Sequence, residues 1–531
     1  MKRNRIQILA TIVALSASIQ AQTTYEALNM ISTDLNGTAR FLGMGGAMSA
    51  LGADISTMNS NPAGIGLYRS WDMAVSASYN DVTQRSIFDG NKGRASDSYG
   101  SFDQAGMVIA SKQSNENALR FVNFGFNYHK VKSFNSRMAM RGSLGGLSQA
   151  GQMAMQALMN PNVLPTDFDE SYQGENFFNT NFYQDDKIGW LTLLGADARL
   201  IDASLYGKDF DGTNYPNQPY YYPGESCEYQ ESLSGNIDAW DFNLSFNLYD
   251  AIYLGVTLTT YDVNYKMGSV YSEVVEGGNY TLENFYNTVG SGYDLKLGVI
   301  LRPFNGSSFR IGFSATTPTR YHLTDYNSAI INSTIYYEDG SIINYSMDTY
   351  SKDANDGDCY TEYSLSTPSK INASIGGTIG NSLALGAEYE YSNYAATKLR
   401  YSDGYDNDAM NAHTEETMNG HHTFRVGMEK MFPGSFYTRL GYNYMTGGYG
   451  KEAWKMIPLN SVQTNTAYAN ILSTHNLTCG LGFRGDSFYA DAALLLGRQK
   501  ANFYPFDNID LEATSVTKET WKGMVTIGLR F

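Results

Sequence analysis

The clearest pattern in the chain lies at its end. From Trp521 to Phe531 the odd positions read Trp, Gly, Val, Ile, Leu, Phe, and the even positions are Lys522, Met524, Thr526, Gly528 and Arg530. This period-two alternation predicts a strand with one apolar and one polar face. A Lys or Arg facing lipid at a bilayer midplane costs roughly 2–4 kcal/mol. The odd face is therefore assigned to lipid and the even face to a lumen. The same alternation recurs at Val122, Phe124, Phe126, Tyr128; at Phe242, Leu244, Phe246, Leu248; at Leu295, Leu297, Val299, Leu301; at Phe309, Ile311, Phe313; at Leu477, Cys479, Leu481, Phe483; and at Phe488, Ala490, Ala492, Leu494.

About fourteen such segments are predicted, between residue 71 and the end. The stretches between them fall into two classes. Residues 113–117, 250–251, 304–306, 380–382, 432–435 and 485–487 are short, and several carry turn chemistry, such as Pro303-Phe304-Asn305-Gly306 and Pro433-Gly434. Residues 83–102, 133–235, 269–291, 324–367, 401–419, 447–472 and 501–519 are long. Short turns on one side, long loops on the other and an even strand number define an outer-membrane β-barrel. The expected fold is thus an all-β transmembrane antiparallel barrel of about fourteen strands, in the outer membrane of a Gram-negative bacterium. The chain ends on Phe531, a terminal aromatic of the kind that the barrel assembly machinery reads.

Composition agrees with this picture. Charged residues make up 17%, with 41 Tyr and 52 Gly, types that suit strands, interfacial belts and turns. No apolar run after the N-terminus is long enough for a spanning helix. Mean hydropathy is −0.34, as expected when only alternate residues meet lipid. Lys2, Arg3 and Arg5, then the apolar run Ile8 to Ile19, then Ala21, read as a signal peptide over 1–21. Gln22 follows the expected cut, so no lipid anchor is indicated. Removing three positive and no negative charges takes the net charge from −16 to −19, which argues against nucleic acid as a partner. Cys227, Cys359 and Cys479 are an odd number without metal spacing. Cys227 and Cys359 either pair across outer loops or stay as separate thiols.

Two stretches lack the alternation. The first, 22–70, precedes a barrel assigned to 71–531. Its residues 39–68 place Gly43, Gly45 and Gly46 before a short helix over Ala47 to Met58. Asn61-Pro62-Ala63-Gly64 then stops that helix and turns the chain. The second, 133–235, is too long to be structureless. Leu147 to Met159 reads as a helix stopped by Asn160-Pro161, Ile188 to Ile201 is an apolar patch, and Tyr215 to Tyr229 is rich in Tyr and Pro. A hidden hairpin here would raise the count to sixteen strands.

The Gly-rich start, the short helix and Asn61-Pro62-Ala63 before the first strand resemble the long-chain fatty-acid transporter (FadL) family of outer-membrane proteins. Arg302-Pro303, Phe309-Arg310-Ile311-Gly312, Thr317-Pro318, Thr367-Pro368-Ser369-Lys370, Tyr389 to Tyr394 and Gly480-Leu481-Gly482-Phe483-Arg484 are similar to that family's middle and final strands. The resemblance implies a fourteen-stranded barrel whose lumen is blocked by a hatch, here 22–70, with Asn61, Pro62, Ala63 and Gly64 as its motif. It implies capture of hydrophobic compounds by outer loops and a sideways exit where an inward kink interrupts the third strand. Gly125 is the candidate for that kink, or else a small residue beside a bulky one. Met153, Met155 and Trp190 are candidates for a capture surface, or else pack the loop.

No GxSxG, P-loop or HExxH is present, so no enzyme, metal or cofactor is expected. His421-His422 is the one histidine pair; some relatives in the family are labelled haemin receptors, and a haemin site would use such a ligand. Asp353, Asp356, Asp358 and Asp403, Asp406, Asp408 do not match calcium-loop spacing. The leading expectation is a monomeric, passive transporter of fatty-acid-like hydrophobic compounds in contact with outer-membrane lipids. The alternatives are a barrel that binds a partner protein or secretion cargo, and a haemin receptor.

Overall fold

A computed structural model describes residues 22–113, 118–168, 177–178, 181–202, 220–304, 306–380 and 382–531. The predicted signal peptide, the turn residue Asn305 and most of the first predicted short turn (113–117) lie outside them. So do parts of the longest predicted loop, including the start of its Tyr- and Pro-rich stretch. The wall is one closed antiparallel sheet. Its strands are β1 (Asp72–Phe88), β2 (Asn91–Lys112), β3 (Leu119–Ser133, continued by Ser136–Ser143), β4 (Gly224–Leu248), β5 (Ile252–Val275), β6 (Gly278–Leu301) and β7 (Arg310–Thr316, continued by Arg320–Tyr336). There follow β8 (Cys359–Ser366, continued by Lys370–Ile379), β9 (Leu383–Asn393, continued by Lys398–Tyr401), β10 (Gly420–Phe432), β11 (Phe436–Thr446), β12 (Tyr468–Arg484), β13 (Phe488–Tyr504) and β14 (Thr514–Arg530). Each pairs with the next, and β14 returns to β1 in a ladder from Asp72↔Arg530 to Ile87↔Ser515. Closure leaves no sheet edge at membrane depth, which the hydrocarbon demands.

Side-chain alternation sets the two faces. On β14, Trp521, Val525, Ile527 and Leu529 point outward, while Lys522, Met524 and Thr526 are buried in the lumen. Two of its lumenal charges are paired: Lys522 with Asp103 at 3.1 Å and Arg530 with Asp72 at 2.9 Å. Exposed aromatics mark both edges of the apolar band. Tyr79, Phe102, Trp240, Tyr293 and Trp521 lie toward the long loops, and Trp71, Tyr249, Phe436, Phe488 and Phe531 toward the short turns.

The barrel wall has fourteen strands, and among the described residues of 133–235 no further hairpin joins it. Several predicted loops are instead strand. Residues 83–102 are the tip of the β1–β2 hairpin, which turns at Asp89-Gly90, and 269–291 close the β5–β6 hairpin at Glu276-Gly277. Likewise β3 runs on to Ser143, and β4 starts at Gly224. Beyond the hydrocarbon both faces of a strand are wetted or meet other loops, so the lipid-driven alternation disappears although the ladder continues. At about 3.4 Å per residue, β4 to β6 are far longer than a bilayer requires.

Residues 22–70 fold inside the barrel as α1 (Thr24–Ile31), α2 (Ala39–Gly43), α3 (Thr57–Ser60) and a 3-10 turn (Pro62–Leu67). A ring of lumen-facing glycines makes room for them near the short turns. A Cβ on Gly255 would collide with Pro62 and Ala63, one on Gly298 with Asn61, and one on Gly386 with the Ala47 carbonyl. One on Gly427 would strike the Met44 carbonyl, and one on Gly441 the amide of Gly45. Except at Gly298, where the Asn61 side chain is struck, these are backbone collisions that rotamer changes cannot relieve, and Gly45 itself has a φ of 63°. Overpacking of such sites costs about 1–3 kcal/mol. Gly427→Leu is therefore expected to lift the hatch and raise single-channel conductance in planar bilayers; conductance equal to that of the parent protein would refute this role.

Candidate functional site

The Asn61-Pro62-Ala63-Gly64 motif is a clip between hatch and wall. Asn61 Oδ1 accepts from the Ala63 amide at 3.2 Å and so caps the 3-10 turn, while its Nδ2 donates to the Val299 carbonyl of β6 at 3.4 Å. The Pro62 carbonyl accepts from Ser245 Oγ at 2.9 Å and from Asn243 Nδ2 at 3.4 Å, both on β4. The Gly64 carbonyl accepts from the Ala53 amide, and Thr57 leaves no room for a side chain at Gly64.

On the opposite wall the hatch is held by charge. Arg40 donates from Nη2 and Nε to the two oxygens of Glu429, at 2.9 and 3.0 Å. Glu429 also accepts from Arg439 Nε at 2.6 Å, and Arg439 Nη1 reaches Asp491 at 2.7 Å. Asp491 accepts from Arg484 as well. Bidentate, charge-assisted geometry of this kind is the strong form of an ion pair. The sequence reading missed this network, because its five members lie on five separate elements. A charged residue on an otherwise apolar or glycine-rich lumenal face was the available signal.

Above the hatch lies a cavity of about 350 Å³. Much of its lining is aromatic and Met: Tyr25, Phe134, Met138, Tyr265, Met267, Tyr286, Tyr468 and Phe503. One flank is charged, with Asp34, Asp103, Lys130, Lys132, Lys518 and Lys522. Lys132 Nζ donates to the Asn29 carbonyl at 2.7 Å and to Ser32 Oγ at 2.6 Å. Lys130 Nζ donates to Ser101 Oγ at 2.9 Å.

This charged flank coincides with the discontinuity in the wall. The β2–β3 ladder ends at Gln104↔His129. Beyond it β3 shifts register against β4 between Lys130 and Lys132, breaks at Phe134-Asn135, and then stays with β4. The β2 backbone from Asn91 to Phe102 pairs with β1 but has no ladder partner on its β3 side. Outside, Phe102 stacks on Tyr128 with ring centroids 5.6 Å apart, where the ladder stops. Gly125 lies below this point in the regular ladder, opposite Val108 and Asn243, where a Cβ would strike the hatch residue Met58. The interruption of β3 thus falls at residues 130–135, not at Gly125, which is small to admit the hatch.

The mouth is covered by a cap built from the longest loop. Its helix α4 (Gln149–Met159) is capped by Ser148, and its first amide also donates to Glu273 of β5 at 3.1 Å. Glu273 accepts as well from Tyr271 and Tyr280, at 2.6 and 2.7 Å. Met153 and Trp190, the latter opening α5 (Trp190–Asp197), are 0% and 1% exposed in the cap core; Met155 alone of the three candidates is at the surface, 48% exposed. Met153 and Trp190 therefore serve packing and present no outward capture surface. Residues 453–467 turn inward and are buried throughout. There Lys455 Nζ pairs with Glu26 of α1 at 2.7 Å. Thr24 of α1 also bonds His413 at 2.9 Å, on the loop helix α6 (Asp408–Thr417). The hatch thus touches the outer loops directly.

Other candidates resolve simply. His421 lines the cavity and stacks on Tyr394 at 4.7 Å, whereas His422 faces outward and bonds Tyr389, so the two rings do not converge on one ligand. Cys227, Cys359 and Cys479 are free thiols, and among the described residues no group of three or more His, Cys, Asp or Glu is arranged to hold a metal. Phe531 stands 68% exposed at the short-turn edge, its amide bonded to the Trp71 carbonyl.

Fold and site together define a plugged transmembrane β-barrel of the outer-membrane type. No family model and no curated protein sequence matches the chain. Among solved structures it is similar to a Pseudomonas aeruginosa FadL homologue, at 13% identity and TM-score 0.47, covering 94% of this chain and 98% of that one. It is also similar to the Pseudomonas putida toluene transporter TodX (10%, TM-score 0.47, covering 94% and 99%) and the Ralstonia pickettii toluene transporter TbuX (12%, TM-score 0.45, covering 94% and 99%).

Two outcomes follow for the hatch and cap. Lys455→Met leaves Glu26 buried without its cation, a change that costs about 3–5 kcal/mol. Hydrogen exchange of α1 should then accelerate at least a hundredfold, and an unchanged rate would contradict the latch. In the cap, burial raises the Asp197 carboxyl to about 6, against the opposing hydrogen bond from Tyr183. Its folded pKa lies above its unfolded one, so the cap should lose stability as pH rises from about 4 to about 6 and stay level above that. Limited proteolysis of the cap should show this slope in the parent protein and none in Asp197→Asn.

Proposed function

We propose that the protein carries small hydrophobic compounds across the outer membrane by passive, stepwise binding, with a lateral exit between β2 and β3. The observation that carries this reading is that the charged flank of the lumenal cavity ends at the place where the wall loses its ladder. A plugged barrel offers no water-filled path, so a solute needs a bound intermediate. Each buried CH₂ favours that intermediate by about 0.8 kcal/mol. The aromatic and Met lining suits an apolar body of variable shape. The lysines on the flank suit an acidic head group, which makes a fatty-acid-like amphiphile the preferred cargo. A solute leaving beside Phe102 and Tyr128 enters the outer interface of the bilayer and never meets bulk water.

The route is tested with cysteines at Ser101 and Lys130, whose side chains already meet across the gap, joined by a short reducible thiol cross-linker. Uptake of a radiolabelled long-chain fatty acid should fall at least tenfold on cross-linking and return on reduction. Full uptake by the stapled barrel would rule out the lateral exit, and cargo protein captured with no uptake at all would favour the partner-binding alternative.

A further inference from the structure

The outer rim of the barrel carries a charge pattern that the lumenal cavity does not use. The ladders set residues of neighbouring strands on common rungs. On one outward rung Lys500 of β13 stands opposite Thr517 of β14, Thr517 opposite Arg85 of β1, and Arg85 opposite Arg94 of β2. The next outward rung toward the membrane sets Arg498 opposite Glu519, and the next one away from it sets Lys92 opposite Ile87. Trp521 lies one outward rung below Glu519, opposite Asp81, which accepts from Ser98 at 2.7 Å. All five basic side chains are exposed on the outer face. Arg85 meets Glu519 at 3.1 Å, and among the described residues Lys92, Arg94, Arg498 and Lys500 have no carboxylate partner. Directly opposed like charges such as Arg85 and Arg94 destabilise a sheet. Yet these cations gather round Glu519 in a chain whose net charge is −16. Outward positions of β4 to β6 show the reverse balance, with Glu228, Asp238, Asp262 and Glu283 beside Lys266.

We propose that this patch binds the headgroup of an anionic, phosphate-bearing lipid of the outer leaflet. Its central rung lies four residues beyond Trp521, which on a tilted strand is about 10 Å above the aromatic belt. That is the level of lipid headgroups. Directly below it, Trp521, Tyr79 and Phe102 offer an apolar surface to the acyl chains. Guanidinium groups bind phosphate through paired N–H donors, and clustered Lys and Arg at a membrane surface attract anionic lipids. A bound phosphate also relieves the opposition of Arg85 and Arg94. Lys92 and Arg94 belong to the β2 edge that has no β3 partner, so the lipid packs the bilayer against that open edge. The assignment needs only the barrel's place in the outer membrane and is independent of its cargo.

The test is native mass spectrometry of the full-length barrel released from phosphatidylcholine nanodiscs that contain either lipid A bearing its phosphates or the dephosphorylated form. The phosphorylated lipid should stay bound to the parent barrel and the dephosphorylated one should not; equal retention of the two would overturn the proposal. Arg94→Gln combined with Lys500→Gln should cut retention about thirtyfold, the effect of two lost surface cations, and undiminished retention would remove the site. Glu519→Gln keeps every cation and deletes the competing carboxylate. It should raise retention about fivefold, and the absence of any rise would count against charge as the cause. Lys266→Gln on β5 should change nothing; a loss as large as that of the double variant would make the attraction nonspecific. Inorganic phosphate at millimolar concentration should leave the lipid in place, and displacement by it would mark a soluble-anion site and overturn the membrane assignment.

Discussion

The architecture depends on how closely a folded segment can approach the inner wall of a barrel. A lumen of fourteen strands is too wide for wall side chains alone to fill, and here hatch backbone meets wall backbone. The Met44 and Ala47 carbonyls and the Pro62-Ala63 peptide lie where side chains of Gly427, Gly386 and Gly255 would otherwise stand. That proximity lets the Asn61 clip reach β4 and β6 and lets Arg40 reach Glu429. Remove the glycines, and the ion network loses its geometry before any charge is changed. The cavity floor is a product of this fit.

The charges inside the barrel obey a second constraint. Arg439 is fully buried, and such a cation is tolerable only when its partners are fixed in advance. The wall fixes them, since Glu429 and Arg439 stand opposite each other on β10 and β11, and Asp491 stands on β13, one strand further round beyond the glycines of β12. The hatch then adds Arg40 to a site already built. Polar pairs at the lipid level thus act in registration, and the exterior stays free to be uniformly apolar.

The barrel itself was legible in the alternation because lipid imposes a strict penalty on every outward residue. Trp521 to Phe531 shows it most cleanly, and the short turns oriented it. Legibility ended where that penalty ends. The β1–β2 hairpin above Phe102 and the upper halves of β4 to β6 read as loops, since neither of their faces meets hydrocarbon. Asn61 and Pro62 could be singled out because a turn motif is local. Arg40, Glu429 and Lys455 could not, because their meaning lies in contacts hundreds of residues apart. Gly125 shows the same limit: a glycine on a lumenal face signals a kink or a neighbour, and only the position of Met58 decides between them.

The seam strand also touches the hatch. Thr526 of β14 accepts a hydrogen bond from the Ala39 amide at 2.7 Å, and Lys522 donates to Asn36 at 2.7 Å. The hatch is synthesised first and β14 last, yet the two share one contact surface across the closing seam between β14 and β1. A finished ring leaves no opening through which so well-fitted a segment could be threaded. The chain must therefore hold its earliest residues in place while its final strand is still unpaired, and sealing the ring becomes the step that commits both ends of the molecule at once.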